Sequence, residues 1–136
     1  MTDSANLDLV RSIFAAWERG DFSHTAEWAH PQIEYVFADG PAPWSSRGLA
    51  GLARGYRDFL SAWAEYRTHA DEFRELDNGR VLVLSHFGGH GKTSGVELGQ
   101  ISTNGATVFE VHDNKVTRLV AYFDRANALA ALGLEE

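Results

Sequence analysis

Two tight-turn signals constrain the second half of the 136-residue chain more than anything else in it: Asp77-Asn78-Gly79 and Asp113-Asn114. Both fall between strand-like runs, where such residues turn a chain back on itself in a hairpin. The strands predicted around them are Tyr66 to Leu76, Arg80 to His90, Thr107 to His112 and Val116 to Asp124. Further strand material starts at Val96, interrupted near Thr103-Asn104-Gly105. No helical run separates these segments. Sequential hairpins without helices between them dictate an antiparallel sheet.

The first half keeps a different period. Leu7, Val10, Phe14 and Trp17 recur at helical spacing, Leu9 and Ile13 widen the stripe, and Gly20 is placed to stop the helix. A short helix is expected over Phe22 to Ala29, ended by Pro31, then a strand from Ile33 to Phe37. The run from Asp39 to Ser46 reads as loop. Leu49, Leu52, Tyr56, Phe59, Leu60 and Trp63 predict a helix from Leu49 to Ala64, and Ala126 to Leu132 a last one. Helices gathered first and strands after them predict a single α+β domain over residues 1–136, with helices on one face of the sheet.

Composition removes several function classes. Net charge is −7 and no Lys/Arg cluster occurs, which argues against a nucleic-acid partner. Without cysteine there are no disulfides, thiolate nucleophiles or Cys-ligated metals. The six histidines show no ligand spacing: His86 and His90 share a strand face but stand roughly 13 Å apart. No metal and no cofactor are expected. The first residues, Met1-Thr2-Asp3-Ser4, lack the charged and apolar regions of a leader, and no apolar run reaches the roughly 20 residues of a membrane span. A cytoplasmic protein without a membrane partner is the expectation.

Asp124 is the most informative single residue. It closes a strand apolar on both faces, and an isolated buried charge is costly, so the carboxylate must be paired or used. It can cap the helix that follows, pair with Arg118 or Arg125, or serve as a catalytic or ligand-binding group. The double apolar face of Val116 to Phe123 also needs a cover, which predicts a homodimer burying sheet against sheet.

The order helix, short helix, strand, Trp-bearing loop, helix and antiparallel sheet resembles the nuclear transport factor 2-like superfamily. Gly91 to Leu98, Ala106-Thr107-Val108-Phe109, and Tyr122 to Leu129 followed by Gly133-Leu134 are similar to its SnoaL-like branch. That branch includes ketosteroid isomerases, polyketide cyclases, dehydratases and limonene epoxide hydrolases, with many proteins of no known activity; fold alone does not choose among them. The resemblance implies a cone-shaped, strongly curved antiparallel sheet packed on the N-terminal helices and enclosing an apolar pocket for a small apolar molecule. Trp17, Tyr35, Phe37, Trp44, Tyr56, Phe59, Phe109 and Tyr122 are the candidates to line it, with core packing as their ordinary alternative.

In such a pocket Asp124 would have its charged form disfavoured and could act as a general acid–base. His86, in the middle of Val83-Leu84-Ser85-His86-Phe87, is the candidate partner, with Tyr35 and Tyr56 behind it; a satisfied core or edge histidine is the alternative. The epoxide-hydrolase arrangement of Asp-Arg-Asp has only Arg118 and Asp124 here, with Glu97 and Glu110 as substitutes by strand position. Phe87 to Thr93 has the look of a phosphate loop but lacks its first glycine and a following helix. Three readings follow: an isomerase, cyclase or dehydratase type of enzyme acting on an apolar carbonyl compound; a non-catalytic binder of a similar ligand; or a dimeric interaction module with a filled pocket.

Overall fold

The computed structural model describes residues 5–21, 25–38, 44–54, 63–76, 79–93 and 96–134. Helix α1, Ala5–Glu18, buries Leu7, Val10, Ile13, Phe14 and Trp17 along one stripe. It stops where Gly20 takes φ 80°. Helix α2 is a single turn, Thr25–Trp28, and runs directly into strand β1, Ala29–Phe37. Pro31 therefore lies inside a strand and not at a helix end. It is tolerated because β1 has an irregular stretch between Ala29 and Glu34, where a missing N–H costs no ladder bond.

The expected loop holds a strand, β2 (Trp44–Arg47), paired antiparallel with β1. Residues 49–54 are helical and bury Leu52 completely. The predicted helical stripe's Tyr56, Phe59 and Leu60 lie outside the described residues. The last two residues of the expected helix, Trp63 and Ala64, belong to β3, Trp63–Glu75, which starts earlier than its composition suggested. Strands β4 (Arg80–Thr93), β5 (Val96–His112) and β6 (Lys115–Tyr122) complete a six-stranded, curved and unclosed sheet in the order β2-β1-β6-β5-β4-β3. β5 is continuous through Thr103-Asn104-Gly105, where an interruption was expected, because β4 pairs with it residue by residue from Arg80↔Glu110 to His90↔Gln100. The expected phosphate-loop lookalike is part of β4.

Of the two turn signals, Asp113-Asn114 and Gly79 hold their places; Asp77 and Asn78 lie outside the described residues. Asp113 and Asn114 take φ 51° and 63°, and Gly79 takes φ 75°. One pairing is not a hairpin: β1 runs parallel to β6, with Glu34 opposite Arg118 and Phe37 opposite Ala121.

The sheet carries apolar side chains on both faces, in two separate cores. On the inner face Val81, Val83, Phe109, Val111, Leu119, Ile33 and Tyr35 pack with α1, Trp28 and Leu52. On the outer face Leu82, Leu84, Ala106, Val108 and Val120 pack with Ala128 and Leu129 of helix α3, Arg125–Leu132. The helices are thus not confined to one face, as the sequence had suggested. α3 packs on this outer-face cluster through Ala128 and Leu129. Among the described residues, no helix is long and apolar enough to cross a membrane.

Candidate functional site

The alternation of each strand decides which predicted residues meet. Tyr35, Phe37 and Phe109 face inward. Trp17 joins them from α1, with its ring 5.8 Å from Phe109 and 5.0 Å from Phe14. Phe109 is fully buried and Tyr35 only 2% exposed, so this end of the inner face is packed core. Tyr122 belongs to the outer face, against the α3 core. The backbone of Trp44 pairs with Phe37 in β2; Tyr56 and Phe59 lie outside the described residues.

Towards the other end of the inner face an aromatic row opens. Tyr35 lies 5.1 Å from Phe37, Phe37 stacks on Phe123 at 5.7 Å with rings 14° from parallel, and Phe87 meets Phe123 at 5.5 Å. Phe37 and Phe123 are half-buried, whereas Phe87 is buried. Phe87 and Phe123 were not singled out in the sequence, although period-2 alternation from Val81 and from Leu119 reaches both. Three buried hydroxyl side chains, Thr68, Ser85 and Thr107, share this face by register with Phe87, Val83 and Phe109.

Asp124 is the N-cap of α3: its Oδ1 accepts from the Ala126 backbone N–H at 3.0 Å, in extended backbone geometry. At the other end Gly133 closes the helix with φ 70°. The cap contributes about 1 kcal/mol by the usual worth of such residues.

His86 follows Leu82 and Leu84 in phase, so it faces outward, and its carboxylate partner is Asp71 and not Asp124. Nδ1 of His86 stands 2.8 Å from Asp71 Oδ1, and Arg125 donates to Asp71 Oδ2 at 2.9 Å. Asp71 reaches them because β3 bulges there: Ala70 faces Ser85 and Glu72 faces Leu84, which leaves Asp71 as the extra residue. His69, opposite His86, contributes a ring 5.2 Å away and lies 3.0 Å from Glu18 at the end of α1. Arg125 also donates to the Ser85 carbonyl at 3.0 Å, so the cluster clamps α3 to β3 and β4.

Burial alone would raise the pKa of Asp71. The hydrogen bonds and charges of Arg125 and His86 outweigh it and hold the carboxyl below its ordinary value. A carboxyl lowered by folding stabilises above its unfolded pKa, near 4, and that contribution disappears as pH falls through the folded value. Wild type is therefore expected to lose thermal stability below about pH 4 more steeply than Asp71→Asn. Parallel melting curves of the two proteins against pH would show that the clamp adds nothing.

The arginine considered for water activation, Arg118, also faces outward. It donates to Glu34 at 2.9 Å and to Glu110 at 3.3 Å, an exposed cross-strand triple away from the aromatic row. Glu110, considered as a substitute acid, is thus engaged in an ion pair. A separate groove of about 300 Å³ lies between α1 and α2, lined by Leu9, Ile13, Trp17 and Trp28 with Asp21 and Glu27. Among the described residues no cluster of His, Asp and Glu could hold a metal.

The model of the SnoaL-like domain matches residues 10–119. Uncharacterised proteins of Mycobacterium tuberculosis and Mycobacterium bovis are 37% identical over 71 residues, 52% of this chain and 50% of theirs. The chain thus aligns with about half the length of these relatives. Among solved structures, a nuclear transport factor 2-like protein of unknown function from Burkholderia pseudomallei superposes with a TM-score of 0.76 at 20% identity, covering 94% of this chain and 97% of that one. A candidate polyketide cyclase from Xanthomonas campestris pv. campestris gives 0.69 at 20% identity, covering 93% and 95%. The curved sheet, the order of its strands and the match over residues 10–119 lead to one assignment: the chain belongs to the SnoaL-like domain family.

Proposed function

We propose that the inner face of this domain binds a small, largely apolar carbonyl compound and acts on it by acid–base chemistry of the isomerase, cyclase or dehydratase type. The observation that carries the reading is the row Tyr35–Phe37–Phe123–Phe87, which leaves Phe37 and Phe123 half-exposed beside buried hydroxyls. An apolar wall with few polar groups is what such a ligand needs. Asp124 directly follows Phe123, so it is the carboxylate offered as base. His86 is no longer offered as its helper, because it faces outward and is paired with Asp71.

A second reading, binding without turnover, is favoured by the bond from Asp124 to the Ala126 N–H. The substitution Asp124→Asn separates the two, since asparagine caps a helix about as well as aspartate but cannot accept a proton. Thermal-shift screening of wild type against steroids, polyketide-like aromatics and terpene epoxides comes first, because a ligand that binds only the folded state raises Tm. The best ligand is then followed for deuterium uptake at the carbon beside its carbonyl. The enzyme reading expects both proteins to be stabilised by ligand and exchange to fall at least about 100-fold in Asp124→Asn, the usual scale of a lost general base. Equal exchange in both would leave Asp124 as a cap alone, and stabilisation without exchange in wild type would select the binder.

A further inference from the structure

The groove between α1 and α2 shares no residue with the row Tyr35–Phe37–Phe123–Phe87. Leu9, Ile13 and Ala16 come from successive turns along one side of α1; Asp21, Glu27 and Trp28 line it from the segment that follows that helix. Its volume of about 300 Å³ is enough for a small molecule.

One wall is a corner of two indoles. Trp17 and Trp28 are both buried, with ring centroids 6.0 Å apart and planes 71° to each other. Phe14 at 5.0 Å and Phe109 at 5.8 Å hold Trp17 in place, so core packing sets the corner in advance of any ligand. A cation within about 6 Å of an indole centroid is attracted by the negative face of the ring.

The charge of the lining has one sign. Asp21 and Glu27 are its charged residues, and both are carboxylates. Asp21 is positioned by the end of α1, where its N–H donates to the Ala16 carbonyl at 2.9 Å beside Gly20 at φ 80°. Ser12, the neutral polar residue of the lining, donates its hydroxyl to the Leu9 carbonyl at 2.7 Å. Two cations of neighbouring segments are engaged outside the lining. Arg11 stands over the Phe73 ring, 5.6 Å from its centroid, and Lys115 donates to the Glu27 backbone carbonyl at 2.7 Å. An anion would be repelled by both carboxylates. A neutral apolar ligand would strip water from them with no compensating charge. An organic cation with a methylated, weakly hydrated head suits the indoles and the carboxylates together.

We propose that this groove binds a small methylated ammonium ion, with Trp17 and Trp28 as its aromatic walls and Asp21 and Glu27 balancing its charge. It is a second site, and neither it nor the inner-face reading depends on the other.

Choline and its neutral tert-butyl isostere, 3,3-dimethylbutan-1-ol, have one shape and differ in charge. Each is titrated into isotope-labelled protein, and binding is followed on the assigned indole N–H signals of the four tryptophans. Wild type is expected to bind choline at least about tenfold more tightly than the alcohol, with larger shifts at Trp17 and Trp28 than at Trp44 and Trp63. Glu27 is exposed, so Glu27→Gln leaves the core untouched. That variant and Asp21→Asn should each weaken choline about twofold to fivefold and leave the alcohol within about twofold. Trp28→Leu should weaken choline about threefold to tenfold; if it does not fold, the two charge variants decide alone. Equal binding of the two compounds would make the groove a plain apolar crevice and overturn the proposal. So would an unchanged choline affinity in both charge variants, shifts confined to Trp44 and Trp63, or no binding of choline.

Discussion

Phe109→Ala is expected to lower the unfolding free energy by about 3–5 kcal/mol, the largest effect of any single truncation considered for this protein. The ring is fully buried, 5.8 Å from Trp17 and 6.3 Å from Phe14, and sits on the central strand β5. Removing it takes away the transfer energy of a large aromatic side chain and leaves a cavity that two strands and a helix cannot close. Urea unfolding should show the midpoint falling with an unchanged slope. A loss below about 1 kcal/mol would mean that the ring borders open space and lines a pocket, the role its position in the sequence had suggested.

Gly79→Ala should come next, at about 2–4 kcal/mol. Two costs combine there. The residue sits at φ 75°, and a left-handed alanine costs roughly 1–2 kcal/mol. In addition, its Cβ would lie 2.4 Å from the Val111 carbonyl oxygen, a backbone atom fixed by the ladder of β5. The Val111 N–H donates to the Gly79 carbonyl at 2.8 Å, which is why the turn lies so close to the strand. Gly20→Ala is the matched control: φ is 80°, yet nothing lies within 4 Å of the new Cβ. Chemical denaturation of both variants isolates the close approach as the difference between them. Equal losses would assign the whole effect to backbone conformation.

What the sequence made legible was local. Gly79, the turn residues at 113–114 and the stripe of Leu7, Val10, Phe14 and Trp17 each depend on neighbours within a few positions, and the structure has them where they were expected. The misses are non-local. β2 is four residues long and is held as a strand only by β1, so Trp44 to Arg47 carries no strand signal of its own. The parallel union of β1 with β6 leaves no trace in either segment's periodicity. Alternation put His86 in phase with Leu82 and Leu84, but it could not say which face α3 would cover. That uncertainty placed His86 in the pocket, whereas the structure pairs it with Asp71 and sets it beside His69. The Asp71 bulge inserts one residue into an otherwise even count, and no composition signal announces it. Asp124 is the instructive middle case: both roles were visible, and the cap is the one whose hydrogen bond is present.

The pairing of β1 with β6 also sets a schedule for folding. Glu34 and Arg118, which meet across it, are 84 residues apart. The chain must close that long loop before β1 gains its inner neighbour, and contacts so remote in sequence slow the search for the native state. During synthesis β1 emerges early and has only the short β2 beside it. Its other edge, carrying Val36 and Phe37, waits until residues 115–122 leave the ribosome. An unpaired strand edge of that kind is where a nascent chain is most exposed to pairing with the wrong partner.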